Sequence, residues 1–145
     1  MPTTRRSRTV AAVPERVWET VGDPYHLPRW WPRVARVEAV TGERFTEVLT
    51  TDRGKALRAD IRVVESRAPE RRAWEQEVAG SPFERIMFAA RTEVSLERLA
   101  AGTRVTVLVR QQMRGTARFG AFMVRRATRR QVDEALTALE GLHGA

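Results

Sequence analysis

The chain has 145 residues, which suits a single domain with one core and is too short for two well-packed domains. Its composition, 42% hydrophobic and 30% charged, is globular, and no apolar run approaches the ~20 residues of a membrane span. The absence of cysteine excludes disulfides and thiolate metal sites, and the basic N-terminus lacks the apolar segment of a secretory signal. We therefore expect one domain over residues 1–145 and a cytoplasmic location.

The net charge of +8 raises nucleic acid or an anionic membrane as a partner. Lys55 is the only lysine, so nearly all of the positive charge is arginine. These arginines are spread along the chain instead of forming one block with interleaved aromatic residues. We therefore interpret most of them as solvated surface and expect no nucleic-acid partner.

The first feature along the chain is an aromatic block, residues 13–32, which holds three of the four tryptophans. Pro14 suits the first position of a helix, where the missing N–H costs nothing. Gly22 suits the position after the end of that helix, where a left-handed residue is needed. We predict a helix–loop–helix whose tryptophans close one end of an apolar chamber: Trp18 with Trp30 or Trp31.

After Pro32 the apolar residues alternate with polar ones in four successive runs, as in half-buried strands. Turn-forming residues separate the runs at spacings that suit consecutive hairpins. With further strands near residues 7–12, 34–40 and 44–51, we predict about seven strands, most of them in an antiparallel meander. The inward positions of the four runs include Leu57, Ile61, Trp74, Phe88, Val107, Val109 and Met113.

The C-terminal segment, residues 116–142, has no proline and returns to the helical period. At 1.5 Å per residue such a helix is ~40 Å long and crosses the sheet completely. Its apolar stripe consists of Ala117, Ala121, Val124, Ala127, Val132, Ala135, Leu139 and Leu142. The opposite side consists of Arg125, Arg126, Arg129, Arg130, Asp133 and Glu140. We interpret it as a solvated face whose positive charge is partly neutralised by Asp133 and Glu140.

Three large apolar residues at the start of this helix do not fit the stripe. Phe119 and Phe122 fall on the arginine side of the helical wheel, next to Met123. If the helix begins irregularly around Gly115 and Gly120, these side chains line the mouth of a cavity. The alternative is that they pack on the first helices or on another subunit.

The motifs carry a family resemblance. They are VPERVW at residues 13–18, Asp23-Pro24, LPRWWP at residues 27–32, and Gly115 with the following helix through Leu139. Over residues 5–142 the sequence resembles the START-like superfamily, in particular the polyketide cyclase/dehydrase and lipid-transport type of SRPBCC domain.

This resemblance implies an α+β helix-grip fold. A curved antiparallel sheet of about seven strands wraps around the long C-terminal helix, and two short helices follow strand 1. It also implies an apolar cavity between the sheet and the helix, open near the second helix and the hairpin tips. The superfamily includes carriers, cyclases and hydrolases, so the resemblance indicates the fold and the cavity more firmly than it indicates a reaction.

Few residues are suited to catalysis. His26 lies near the expected cavity entrance and is a candidate acid or base, although an exposed loop histidine is the commoner case. His143, in a glycine-flanked tail, is expected to be solvated. The histidines offer no metal-ligand spacing, and nucleotide loops and nucleophile motifs are absent, so we expect no metal and no cofactor. Inward polar residues are Gln76, Thr92, Gln111 and, if the parity of the third strand directs it inward, Glu47.

We therefore expect the protein to bind or carry a hydrophobic small molecule that is polyketide-, lipid- or sterol-like. One alternative is a cyclase/dehydrase-type enzyme acting on such a ligand, with weak catalytic candidates His26, Glu47 and Gln111. A second is a ribosome- or membrane-associated interaction module that uses the arginine side of the last helix. Monomer and homodimer remain open. The predicted ligand-binding residues are Trp18, Trp30, Trp31, Leu57, Ile61, Trp74, Gln76, Phe88, Val107, Val109, Gln111, Met113, Phe119 and Met123.

Overall fold

A computed structural model describes residues 3–115 and 120–144. Seven strands are β1 Thr3–Val10, β2 Val34–Thr41, β3 Arg44–Thr50, β4 Ala56–Arg67, β5 Arg71–Gln76, β6 Met87–Leu99 and β7 Gly102–Met113. The α-helices are α1 Pro14–Val21, α2 Leu27–Trp30 and α3 Ala121–His143. Short 3-10 helices, Pro24–His26 and Pro82–Arg85, precede α2 and β6.

The strands form one antiparallel sheet in the order β1-β7-β6-β5-β4-β3-β2. Strands β2 to β7 are therefore a six-stranded meander, and β1 pairs with β7 at one edge. The long helix α3 packs chiefly against β1, and it also contacts α1, α2 and β7. This arrangement confirms the predicted fold class: a curved antiparallel sheet that holds a long C-terminal helix, with short helices after strand 1.

Strand β1 lies earlier in the chain than predicted. It covers Thr3–Val10 instead of residues 7–12, and it pairs with β7 from Thr3↔Arg110 to Val10↔Thr103. The pairing ends there because the hydroxyl of Thr103 donates to the carbonyl oxygen of Ala12 at 2.6 Å, which fixes the turn into α1. The start of β1 is polar, so no alternation of apolar residues marks it.

Within the described part of α3, the fully buried stripe residues lie between Val132 and Leu139. Val132, Ala135 and Leu139 are fully buried, as predicted, whereas Ala127 and Leu142 are exposed. Leu136, which the predicted stripe omits, is fully buried one turn after Val132. The packing face is thus centred on the second half of the helix. Ala117 lies outside the described residues.

Gly22 follows α1 for a different reason than predicted. Its φ angle of −80° is right-handed, so the expectation of a left-handed residue is wrong. A Cβ atom at this position would lie 2.6 Å from the indole nitrogen of Trp18. Glycine is required here because the Trp18 side chain folds back over the end of its own helix.

The outer face of the sheet carries a ladder of cross-strand ion pairs. Arg71 pairs with Glu65 and Glu93, and Arg91 pairs with Glu93 and Glu75, at 2.6 to 3.2 Å. Each such pair contributes little to stability. The positive charges of Arg71 and Arg91 are thus neutralised by glutamates on the same and neighbouring strands. Within the described part of the chain, no helix is both long and apolar enough to cross a bilayer.

Candidate functional site

A cleft of about 400 Å³ lies between the first half of α3 and the ends of β6 and β7. The segment that follows α2 closes its third side. Short side chains of α3, Val124 and Ala127, leave the space open opposite Met87 and Met113. The full lining is Pro32, Arg33, Ile86, Met87, Gln111, Met113, Val124, Ala127, Thr128, Arg130, Gln131 and Glu134.

Gln111 joins the two walls of this cleft. The buried hydroxyl of Thr128 on α3 donates to the amide oxygen of Gln111 on β7 at 3.0 Å. The NH₂ group of Gln111 has no acceptor among the residues that the structure describes. Of the predicted site residues, Gln111 and Met113 thus line the cleft, and Gln111 has a donor left for a ligand.

Phe88 does not face inward as predicted. Its side chain is 51% exposed, whereas the preceding Met87 is buried. The pairing of β6 with β7 shifts between Met87↔Met113 and Ala89↔Gln112, and this bulge reverses the alternation at the start of β6. On the outside, the guanidinium carbon of Arg114 lies 3.8 Å from the centre of the Phe88 ring.

The described residues at the start of α3 also fall outside the lining. Met123 is 63% exposed, because it lies about 100° around the helix from Val124, which faces the cleft. Phe122 is exposed as well. Phe119 lies outside the described residues. The part of α3 that lines the cleft consists of Val124, Ala127, Thr128, Arg130, Gln131 and Glu134.

Three tryptophans pack together in the interior. The ring centres of Trp30 and Trp31 are 5.4 Å apart, those of Trp31 and Trp74 are 6.1 Å apart, and both pairs are edge-to-face. All three side chains belong to the hydrophobic core, and none lines the cleft. The indole N–H of Trp30 is buried and finds no acceptor within the described chain. Trp18 is half-buried against the same core.

The other inward candidates are core residues. Ile61, Val107 and Val109 are buried, and Leu57 is half-buried. Gln76 pairs with Ile61 across β4 and β5, so it lies on the inward face. Its amide nitrogen is buried, and among the described residues it has no acceptor. The interior therefore holds two buried N–H donors that the described protein leaves unpaired: those of Trp30 and Gln76.

The parity of β3 places Glu47 on the inward face. It lies two residues after the core residue Phe45 and pairs with Ala59, which is also buried. Glu47 is only 7% exposed, and no hydrogen-bond or ion-pair partner occurs among the described residues. Burial raises the pKa of its carboxyl to about 7. Such a group gives or takes a proton readily at neutral pH.

His26 is held by the helices before the cleft. Its Nδ1 lies 3.0 Å from the backbone oxygen of Glu19, and its Nε2 lies 3.8 Å from the carboxylate of Asp23. These contacts tie the loop to α1, and His26 is not part of the cleft lining. The structure thus gives His26 a structural contact and brings it to none of the other candidates.

His143 is not the solvated tail residue that the sequence predicts. Its Nε2 lies 2.8 Å from the hydroxyl of Thr20, so it joins the end of α3 to α1. Burial, with a smaller effect from Arg16, lowers its pKa. The prediction fails because α3 continues through His143 instead of ending before it.

Arg72 is a buried charge that the sequence prediction omitted. It is 9% exposed and donates from Nη1 to the hydroxyl of Ser66 at 3.1 Å. Burial lowers the pKa of its guanidinium, and the charge of Asp23 acts in the opposite direction. The signal was present, because Arg72 precedes the inward Trp74 by two residues on β5. Among the described residues, no group of three or more His, Asp or Glu is arranged to hold a metal.

Comparisons with known proteins agree with this architecture. The family model described as polyketide cyclase / dehydrase and lipid transport matches residues 1–143. A search of curated proteins finds no match. Among solved structures, the di-domain ARO/CYC protein StfQ from the steffimycin biosynthetic pathway has a TM-score of 0.80 at 12% identity. The alignment covers 99% of this chain and 50% of StfQ, so the chain spans half the length of that relative.

Two further structures match along nearly their whole length. A START superfamily protein from Mycobacterium smegmatis has a TM-score of 0.77 at 14% identity, over 98% of this chain and 97% of the other. A protein from Arthrobacter aurescens has a TM-score of 0.72 at 20% identity, over 96% and 84%. At these identities the structures establish the fold. Because the family model covers almost the entire chain, the protein belongs to the polyketide cyclase/dehydrase and lipid-transport family.

Proposed function

We propose that the protein binds a hydrophobic small molecule, polyketide-, lipid- or sterol-like, between the sheet and α3. The observation that carries this proposal is the cleft of about 400 Å³ whose inner wall is made by Met87, Met113, Val124 and Ala127. Small-molecule sites usually measure about 300–1,000 Å³ and are mostly apolar with a few polar groups. The cleft has that size, and six of its twelve lining residues are apolar.

Burial of the ligand supplies the affinity. Hiding ~250 Å² of apolar ligand surface at about 25 cal/mol per Å² gives on the order of 6 kcal/mol before ordering costs. Binding in the micromolar range therefore needs no charged anchor. The methionine side chains adapt to ligands of different shape because their thioether chains are flexible.

An unpaired donor in the cleft favours a ligand that carries oxygen. The NH₂ group of Gln111 belongs to the cleft lining and has no acceptor among the described residues. A donor that a ligand covers without pairing it costs about 1–3 kcal/mol, and a carbonyl or hydroxyl oxygen of the ligand removes that cost. A polyketide-like ligand meets this requirement better than a plain hydrocarbon does.

Filling the cleft should abolish binding. In an Ala127→Trp variant the indole occupies the space opposite Met113, and affinity for the neutral fluorescent probe N-phenylnaphthylamine should fall at least about tenfold. The matched control is Ala100→Trp, in the exposed turn between β6 and β7, which should bind as the wild type does. Unchanged affinity in Ala127→Trp, with the fold intact by circular dichroism, overturns the cleft as the binding site.

Glu47 favours a second candidate function, a cyclase/dehydrase-type reaction on the ligand. Its carboxylate would take a proton from a carbon next to a carbonyl; the carbanion closes on a second carbonyl, and the carboxylic acid returns the proton to the resulting alkoxide oxygen, which becomes the hydroxyl. Glu47 lies on the inward face of the sheet but outside the cleft lining, so this reaction requires a ligand that extends from the cleft inward to β3.

Proton abstraction can be tested separately from binding. The wild type should accelerate exchange of the hydrogens next to the carbonyl of α-tetralone with deuterated water, followed by NMR. Glu47→Gln should lose about a hundredfold of that acceleration. An equal rate in the variant excludes Glu47 as the base, and no acceleration by the wild type leaves only the binding function.

A further inference from the structure

Four exposed apolar side chains lie at the end of the molecule where α3 and β6 begin. Phe122 and Met123, on the first turn of α3, are 62% and 63% exposed. Ile86, just before β6, lines the cleft and is exposed, and the exposed Phe88 follows the cleft residue Met87. Large apolar side chains rarely cluster on a surface without a partner. We call these four residues the rim; of the four, Ile86 belongs to the cleft lining.

The arginine side of α3 is exposed, and its two carboxylates have their described ion pairs elsewhere. Asp133 pairs with Arg6 at 3.6 Å and Glu140 pairs with Arg8 at 3.8 Å, both on β1. Strand β1 lies against the helix, so these carboxylates are shared between β1 and the arginine side. Among the described residues, no ion pair involves the helix arginines Arg125, Arg126, Arg129 and Arg130.

The two features occupy the same end of the molecule. Phe122 lines a shallow surface groove together with Arg126 and Arg129, and Arg130 lies at the edge of the cleft itself. Two carboxylates of α3 face this group: Glu134, without a described ion pair, and Asp133, which pairs with Arg6. Four helix arginines against these two carboxylates leave the surround of the rim positive.

We propose that the rim docks on the surface of an anionic phospholipid bilayer, with its apolar side chains inserted at the level of the headgroups. Interfacial binding of this kind combines inserted aromatic and aliphatic side chains with arginines that attract anionic lipid. The placement favours a flat apolar partner. A bilayer covers the start of α3 and the start of β6 together, whereas a protein helix lying along α3 leaves Ile86 and Phe88 exposed. Docking in this orientation turns the cleft toward the lipid.

The test is co-sedimentation with vesicles. The full chain should bind vesicles of equimolar phosphatidylcholine and phosphatidylglycerol much more tightly than vesicles of phosphatidylcholine alone, and salt should weaken that binding. Arg125→Gln with Arg129→Gln should reduce affinity by about thirtyfold, at roughly fivefold for each arginine. Arg16→Gln with Arg53→Gln, an equal loss of charge at exposed sites away from the rim, should have little effect.

A second pair of variants separates insertion from simple charge attraction. Phe122→Ser with Met123→Ser should lower affinity for the anionic vesicles at least about tenfold. Tyr25→Ser, at an exposed aromatic residue outside the rim, should not. The proposal is overturned if the two double-arginine variants lose equal affinity for the anionic vesicles. It is also overturned if the Phe122 and Met123 variant loses none. It also fails if polyglutamate or RNA binds through these arginines while anionic vesicles do not.

Discussion

Replacing Leu136 with alanine should lower the free energy of unfolding by about 2–5 kcal/mol. Leu136 is among the largest fully buried side chains and lies at the centre of the face by which α3 packs on the sheet. Its truncation leaves a cavity that the sheet on one side and the helix on the other cannot close. Urea unfolding followed by circular dichroism measures the change.

The control for this substitution lies on the same helix. Leu142 is exposed, so Leu142→Ala should cost less than about 1 kcal/mol. Similar losses in the two variants would contradict the packing of α3 described above. The comparison therefore tests which side of the helix faces the sheet, independently of any ligand.

Glu47 should make the protein less stable as the pH rises. Its pKa is about 7 in the folded chain and near 4.5 when the chain is unfolded, so the folded state holds the proton more tightly. The stability linked to this proton is fully present below pH 4.5 and is lost as the pH rises to about 7. The loss amounts to about 3 kcal/mol.

Glu47→Gln removes this dependence because glutamine does not ionise. The variant and the wild type should be similarly stable near pH 4.5, and above pH 7 the variant should be more stable by about 3 kcal/mol. The difference between the two proteins isolates Glu47. His143, whose pKa burial lowers, contributes the opposite slope to both. Parallel stability curves for the two proteins would contradict this account, because they would show that folding does not raise the pKa of the Glu47 carboxyl.

Much of the fold was predictable because its patterns are local. The alternation of β4 and β7 and the stripe Val132, Ala135 and Leu139 are one-element patterns, and the structure confirms them. Strand β1 escaped because its first residues are polar and its pairing with β7 is long-range. The true role of Gly22 depends on the position of the Trp18 indole, which no backbone rule describes.

The candidate site was harder to predict. A bulge at the start of β6 turns Met87 inward in place of Phe88, and the alternating sequence does not indicate this bulge. The direction of Glu47 was left open by the sequence, because β3 buries two neighbouring residues: Val48 on the outer side and Glu47 inside. Partners of Asp133 and Glu140 come from β1, more than a hundred residues earlier in the chain.

Methionine methyl groups offer the most direct test of a hydrophobic site between the sheet and α3. The chain has four methionines; Met87 and Met113 line the cleft, whereas Met123 lies on the rim outside the lining. In NMR spectra of protein labelled at these methyl groups, N-phenylnaphthylamine should shift the Met87 and Met113 resonances most, because its rings lie against them. Binding of the probe with shifts at Met123 or Met1 alone would contradict a site in the cleft.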